Sequence, residues 1–189
     1  MNRKPLLAGA LSCVMLLVAA CATAGPRTVT APDAPRALSG DSPVQVSWTD
    51  PAQFTEIRSS SNRFEAQSGN WVSQLAEALR KSAVKRLPPG QTLEVRFTDI
   101  KRAGDFEPQH GPRANDIRIM RDVYPPRITL DFTLRDAGGR VLQEGKDVKL
   151  VGLNYLQNGV GLRSNSDPLR YEEQMLDDWL RKLLTPTRR

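Results

Sequence analysis

The chain has 189 residues, of which 39% are hydrophobic and 25% are charged, and its formal net charge is +6. These are ordinary values for one globular domain. They argue against a disordered chain, a coiled coil and a protein that crosses a membrane several times. The sequence contains no run of five or six like charges, so we expect no nucleic-acid partner.

The N-terminus has the pattern of an export signal. Arg3 and Lys4 precede an apolar run over residues 6–20, which is too short to span a bilayer as a mature helix. We therefore predict a signal peptide over residues 1–20 and exclude it from the fold. Without its two basic residues the net charge is +4, the charge of a modestly basic exported protein.

Two processing sites compete at the end of this run. VAAC at residues 18–21 resembles a bacterial lipobox, in which the Cys21 thiol accepts a diacylglyceryl group. ATA at residues 22–24 fits a plain signal-peptidase site with cleavage before Gly25. We favour the lipobox because the apolar run ends directly on the cysteine, and Ala22 is not the aspartate often linked to inner-membrane retention. The expected location is the periplasm, anchored to the outer membrane, with a soluble periplasmic protein as the alternative.

The two cysteines of the chain therefore have no structural role in the mature domain. Cys13 leaves with the signal peptide, and Cys21 is either lipidated or removed. Although exported proteins often use disulfides, the mature domain has no cysteine to form one. It must be stabilised by its hydrophobic core.

The first predicted elements follow a linker. Residues 21–43 are rich in Ala, Pro, Thr, Ser and Gly and are predicted to be a flexible tether, followed by a single α/β domain over residues 44–189. Alternating apolar residues over positions 44–48 predict the first strand. Residues 52–69 are predicted to be a polar loop. Three of its apolar residues are expected to reach the core: Phe54, Ile57 and Phe64.

A helix, a strand and a long loop are predicted next. Asn70 precedes apolar residues at spacings of three and four, a helical pattern that stops at the Pro-Pro-Gly sequence after Leu87. Residues 93–98 alternate between apolar and polar and predict a second strand. Residues 101–115 are predicted to be a loop, followed by a short third strand around residues 117–119.

The clearest strand covers residues 128–134, where every second residue is Ile, Leu or Phe. DAGG at residues 136–139 predicts a hairpin turn. The return strand starts at Arg140 and shifts its apolar phase near Gly145, which indicates a β-bulge. We expect the chain to run extended to about Tyr155 and then to form a loop.

The last predicted element is a helix with Asp167 as its N-cap and Pro168 in its first turn. Trp179 lies on its apolar face and is predicted to be a core residue. The acidic pairs at residues 172–173 and 177–178 are interpreted as a solvated face, since adjacent residues diverge by about 100° around a helix. The order β-α-β-β-β-β-α predicts an α+β two-layer sandwich with a mixed or antiparallel sheet of four to five strands and two main helices.

Several short stretches resemble the DUF3016 family and follow its order. They are DPAQFTE at 50–56, TDI at 98–100, AGDFEP at 103–108, DIRIMRDVYPPRI at 116–128 and DPLRYEEQMLDDWL at 167–180. The resemblance runs from about Val44 to Leu180. It implies an exported protein of Gram-negative bacteria of unknown function and supplies no catalytic residues. Lys101 and Arg102 stand where the family pattern leads us to expect an acidic and an aliphatic residue, which argues against a fixed acidic site in this loop.

The loop after the second strand is a weak candidate for a metal or hydrolytic site. Its members are Asp99, Asp105, Glu107 and His110. The spacing fits no usual zinc or calcium pattern, and neither a serine-hydrolase nor a phosphate-loop motif occurs in the chain. The alternative is structural, with Asp99 capping loop amides at the end of its strand.

The connector before the clearest strand is the candidate interaction surface. It contains Arg121, Tyr124, Pro125 and Arg127. Tyrosine and arginine are frequent at the centres of protein interfaces. The alternative is a rigid connector whose prolines fix the entry into the strand.

From these patterns we expect a non-catalytic binding or assembly module of the cell envelope. The contact surface would be the connector or an exposed sheet edge. We expect no cofactor and no metal. The expected partners are the membrane, through the N-terminal lipid, and an envelope protein or an anionic envelope component. The alternative is an envelope hydrolase or metal-dependent enzyme that uses the loop from Asp99 to His110.

Overall fold

The computed structural model describes residues 28–111, 115–157 and 167–185. The predicted signal peptide and Cys21 lie outside these ranges. In chain order the elements are β1 (Val44–Trp48), α1 (Thr55–Arg58), α2 (Arg63–Gln67), α3 (Trp71–Val84), β2 (Thr92–Lys101), β3 (Asp105–Phe106), β4 (Arg118–Ile119), β5 (Arg127–Arg135), β6 (Val141–Val151) and α4 (Arg170–Leu184). None of the described helices is both long and apolar enough to cross a membrane.

The four long strands form one mixed sheet in the order β1-β2-β5-β6. β1 and β2 are parallel and are joined through α3, whereas β5 is antiparallel to both of its neighbours. β3 and β4 pair separately as a small antiparallel sheet. The predicted fold class is confirmed: a mixed α+β architecture with two main helices and the order β-α-β-β-β-β-α.

The alternation of residue types along the strands creates one apolar and one polar sheet face. The apolar side chains of β1, β2 and β5 join those of α3 and α4 in one hydrophobic core. Examples on β2 are Leu93, Val95 and Phe97, which are at most 3% exposed. The opposite face carries polar residues such as Gln45 and Glu94, which are exposed.

β2 extends beyond the predicted residues 93–98, and its pairing changes near its end. The register with β5 shifts between Phe97 and Asp99. After the shift, Ile100 and Lys101 are both buried although they are adjacent. A regular strand would point one of them to each face. The irregularity therefore turns the end of β2 into a place where a charged side chain is buried.

The predicted bulge in β6 is present. Lys146 and Asp147 together oppose a single residue of β5, Asp131, whose carboxylate accepts the Asp147 N–H at 2.8 Å. Gly145 lies next to the bulge and faces Phe132. A Cβ at this glycine would lie 2.6 Å from the phenylalanine ring, so only glycine fits here.

The predicted loop over residues 52–69 contains two short helices, α1 and α2. Phe54 and Ile57 are buried as predicted, but Phe64 is 65% exposed and is not a core residue. Helices of one turn show too few residues for a helical period to appear in the sequence.

Residues 28–43, within the predicted tether, are irregular and lie against the domain. Val29 is buried. The backbone pairs with β1 through hydrogen bonds from the Leu38 N–H to the Val46 carbonyl and from the Trp48 N–H to the Arg36 carbonyl. These hydrogen bonds are made by backbone groups, so the composition of the segment could not predict them.

α4 differs from the prediction at its start and on its acidic face. The Asp167 carboxylate accepts the Leu169 N–H at 2.8 Å and so caps the turn that precedes α4. The interpretation of a solvated acidic face is wrong for Glu172 and Asp177, which are buried. Trp179 is partly buried and packs against the core.

Candidate functional site

The four candidate residues at the end of β2 and in the segment that follows it belong to three separate hydrogen-bonded groups. Asp99 accepts the Thr55 N–H at 2.6 Å and the Thr55 hydroxyl at 2.7 Å. These hydrogen bonds cap the first turn of α1, the kind of role that the structural alternative gave to Asp99. Asp105 is found beside Lys101, whereas Glu107 and His110 belong to a third group.

A buried charge cluster joins α1 to the end of β2. Glu56 is 1% exposed and receives a hydrogen bond from Lys101 Nζ at 3.2 Å and from the Arg102 N–H at 3.0 Å. Its other carboxylate oxygen accepts from the Arg118 guanidinium. Lys101 Nζ also lies 3.5 Å from an Asp105 carboxylate oxygen. Because each buried charge has a partner of opposite sign, the cluster can exist inside the protein.

Glu172 of α4 forms a second buried acidic position beside this cluster. It is fully buried, and one carboxylate oxygen accepts the Ala103 N–H at 2.6 Å. Within the described residues, its other carboxylate oxygen has no hydrogen-bond partner. Burial raises the pKa of Glu172, an effect that the nearby Arg102 guanidinium opposes.

Sequence reasoning missed Glu56, Arg118 and Glu172. A weak signal existed, since each of them lies in one of the stretches that resemble DUF3016. No spacing rule links them, because they come from α1, β4 and α4 and meet only in the folded chain.

The third group centres on Glu107 and contains residues from both predicted sites, the loop after the second predicted strand and the connector. Glu107 is 4% exposed. Its carboxylate accepts from Arg121 at 2.7 Å and from the Tyr124 hydroxyl at 3.0 Å, and it lies 3.0 Å from His110 Nε2. The hydrogen bond from Arg121 holds the pKa of Glu107 below its usual range, and the bond to Glu107 raises the pKa of Tyr124.

Residues 121–124 form a tight turn whose backbone is held by three hydrogen bonds. The Tyr124 N–H donates to the Arg121 carbonyl at 2.9 Å, and the Tyr155 hydroxyl donates to the same carbonyl at 2.9 Å. The Tyr124 carbonyl accepts the Gly104 N–H at 3.0 Å. Gly104 has a φ of +74°, and a Cβ there would lie 2.7 Å from the Ile119 carbonyl oxygen. This close approach requires glycine.

The tip of this turn points to solvent. Asp122 and Val123 are exposed, the latter by 72%. Pro125 is half-buried, as is Tyr124. Arg127 is exposed at the start of β5 and does not share the hydrogen bonds of Glu107. The connector therefore consists of a fixed turn, residues 121–124, and a separate arginine.

The described ranges contain no group of three or more His, Cys, Asp or Glu side chains placed to hold one metal ion. The three carboxylates of the predicted loop site contact other side chains instead. Asp99 binds Thr55, Asp105 lies beside Lys101, and Glu107 binds Arg121.

The geometry can be compared with known proteins. A family model, "Protein of unknown function (DUF3016)", matches residues 42–182. The chain belongs to the DUF3016 family. The match covers every described strand and helix up to the last turn of α4, together with both groups of predicted site residues. No curated protein and no solved structure matches the chain.

Proposed function

We propose that this DUF3016 member is an exported domain, anchored to the outer membrane through Cys21, that binds a protein partner of the cell envelope through the turn at residues 121–124. One observation carries the proposal: the buried Glu107 carboxylate holds the side chains at both ends of that turn, Arg121 and Tyr124. A contact surface that is fixed before binding loses little conformational entropy when the partner arrives.

The residue types of the turn fit a protein contact. Arginine and tyrosine are enriched at the energetically important positions of protein interfaces. Between them the turn exposes Val123, an apolar side chain that is 72% accessible. Packing a partner against this valine would bury apolar area, while the polar groups beside it would fix the orientation.

A protein partner is favoured over an anionic envelope component by the local charge balance. Arg121 lies 2.7 Å from a Glu107 oxygen and is neutralised by it. The adjacent Asp122 is exposed. The turn therefore does not present the excess of positive charge that anionic lipids or polysaccharides attract.

Export and anchoring are supported by the sequence at the N-terminus. The basic residues, the short apolar run and VAAC at residues 18–21 fit a lipoprotein signal. The enzyme alternative requires Asp99 and His110 to act together. Since Asp99 binds Thr55 and His110 binds Glu107, no observation favours it.

The proposal is tested by crosslinking from the turn in living cells. A photoactivatable amino acid replaces Val123 in the full-length chain, and the same amino acid replaces Gln45 on the polar sheet face as the control. We expect a discrete adduct from position 123 only. The Glu107→Gln variant, which weakens the hold on Arg121 and Tyr124, should lower its yield.

A captured protein must then bind the purified chain directly. We expect Tyr124→Ala to weaken that binding by about tenfold or more, as for a central interface residue. Equal adducts from positions 123 and 45, or binding that Tyr124→Ala leaves unchanged, would contradict the proposal.

A further inference from the structure

The two edges of the main sheet differ in the described chain. At the β1 edge, residues 36–38 pair with the strand through two backbone hydrogen bonds. At the opposite edge, β6 is eleven residues long, and no described segment pairs with its outer side. An unpaired strand of this length presents backbone groups that can pair with another strand.

The direction of these backbone groups follows from the ladder between β5 and β6. The Gly152 N–H donates to the Pro126 carbonyl at 3.0 Å. Because hydrogen-bonded residues alternate along an antiparallel ladder, the backbone groups of Lys149 and Val151 point away from β5. Beyond the bulge, Gly145 pairs with Phe132, so the residue before it, Glu144, points its backbone groups outward in the same way.

The side chains of β6 divide between the two faces of the sheet. Gly145, Val148 and Leu150 are on the helix side: the glycine faces the core residue Phe132, and the other two pack against the core. The residues that alternate with them are exposed on the polar side. They are Glu144, Lys149 and Val151. Leu142 is exposed as well and lies at a second irregularity of β6, where Gln143 pairs with Leu134 and Val141 pairs with Arg135.

We propose that β6 pairs antiparallel with β6 of a second copy of this chain, about a two-fold axis between Lys146 and Asp147. The two sheets then continue as one sheet of eight strands. This register matches residues in pairs that lie on the same face. The pairs are Leu142 with Val151, Glu144 with Lys149, Gly145 with Val148, and Lys146 with Asp147 of the other copy.

Charge complementarity supports this partner and this register. Within its own sheet, Glu144 lies opposite Thr133 and Lys149 lies opposite Thr129. Neither charge forms an ion pair with any residue of the described chain. In the dimer the two-fold axis creates two Glu144–Lys149 pairs, and opposite charges directly across an antiparallel ladder stabilise it.

The apolar residues and the bulge also fit the two-fold arrangement. Leu142 is 44% exposed and Val151 is 45% exposed, and each would cover the other across the new ladder. Each copy has a bulge formed by Lys146 and Asp147, and the two bulges lie side by side at the two-fold axis. The residue pairs on either side of the axis therefore stay in register. The dimer is isologous, because β6 of each copy forms its half of the interface.

The test uses charge reversal in full-length chains that carry two different tags and are co-expressed. Glu144→Lys alone places lysine opposite lysine twice, and Lys149→Glu alone places glutamate opposite glutamate twice. We expect each variant to co-purify with its own differently tagged copy about tenfold less than the wild type does. When Glu144→Lys is co-expressed with Lys149→Glu, both pairs become attractive again, and co-purification should return to the wild-type amount.

Glu94→Lys is the matched control, because Glu94 is an exposed glutamate on the same polar face but lies on an inner strand. It should leave co-purification unchanged. The proposal is overturned if wild-type copies do not co-purify, if the mixed pair is as weak as the single variants, or if Glu94→Lys has the same effect as Glu144→Lys.

Discussion

At the residue scale, three buried carboxylates have different environments. Glu56 is neutralised by Lys101 and Arg118. Glu107 accepts several hydrogen bonds, and that from Arg121 holds its pKa low. Glu172 accepts one N–H on one oxygen, and burial raises its pKa above the ordinary value of 4.5. Burial therefore favours the protonated form of Glu172, whereas the hydrogen bond from Arg121 favours the charged form of Glu107.

The raised pKa of Glu172 predicts a pH dependence of stability. Since the folded state binds this proton more tightly than the unfolded state, its contribution to stability is full below about pH 4.5 and decreases as pH rises through the raised pKa. Glu172→Gln should therefore become more stable relative to the wild type between about pH 4.5 and neutrality. Urea unfolding at several pH values measures this difference.

Two variants serve as references for this measurement. Glu94→Gln changes an exposed carboxylate and should show no such trend. Glu107→Gln should show the opposite trend below about pH 4.5, because the lowered pKa of Glu107 gives the wild type a stability that is lost only as pH falls below the ordinary carboxyl pKa. A constant difference between wild type and Glu172→Gln at all pH values would show that Glu172 keeps an ordinary pKa.

At the element scale, the irregular end of β2 organises the region around the candidate site. The register shift after Phe97 brings Asp99 to the start of α1 and buries Lys101 against Glu56. α1 has only four residues, too few to be a stable helix without tertiary contacts. Its position therefore depends on two side chains of β2.

Asp99→Ala is predicted to lower the free energy of unfolding by about 1–2 kcal/mol, the usual cost of losing a helix cap. Asp99→Asn retains one acceptor oxygen and should cost less. Hydrogen exchange adds a local readout, because the Thr55 amide loses its acceptor in Asp99→Ala and should exchange faster. Unchanged stability and exchange in Asp99→Ala would exclude a capping role.

At the scale of the whole molecule, the proposed function places the domain at a membrane. The predicted attachment is the lipid at Cys21. A single acyl group binds a membrane only weakly, whereas the combination of chains on a bacterial lipoprotein cysteine anchors stably. Residues 28–43 of the predicted tether lie against the domain and therefore do not act as a free spacer.

Cys21→Ser is predicted to abolish incorporation of radiolabelled palmitate and to move the protein from the membrane fraction to the soluble fraction. Cys13→Ser is the control, because that cysteine lies within the signal peptide and should leave labelling intact. Mass spectrometry of the mature N-terminus gives an independent check. An unmodified chain that starts at Gly25 would contradict lipidation.

Much of the fold could be predicted from local patterns. β1, β2, β5 and α3 each repeat apolar residues at the period of their own geometry, so the sequence alone reveals them. The glycines of DAGG predict the hairpin turn at residues 136–139, and the shift in the apolar alternation near Gly145 predicts the bulge. The candidate site was only partly predictable: Glu107, Arg121 and Tyr124 were named, but in two separate groups.

The sequence by itself determined most of the core, the order of the main elements and membership of a family. These depend on which residues are apolar and how they repeat, and neighbours in the chain carry that information. Only the tertiary structure decided that Glu107 joins the loop to the turn at residues 121–124, that Glu56 and Glu172 are buried, and that β6 is left at an edge. Such relations join residues that are distant in the chain. The charges of Glu56 and Glu107 are tolerated inside the protein because the fold brings cationic side chains to them.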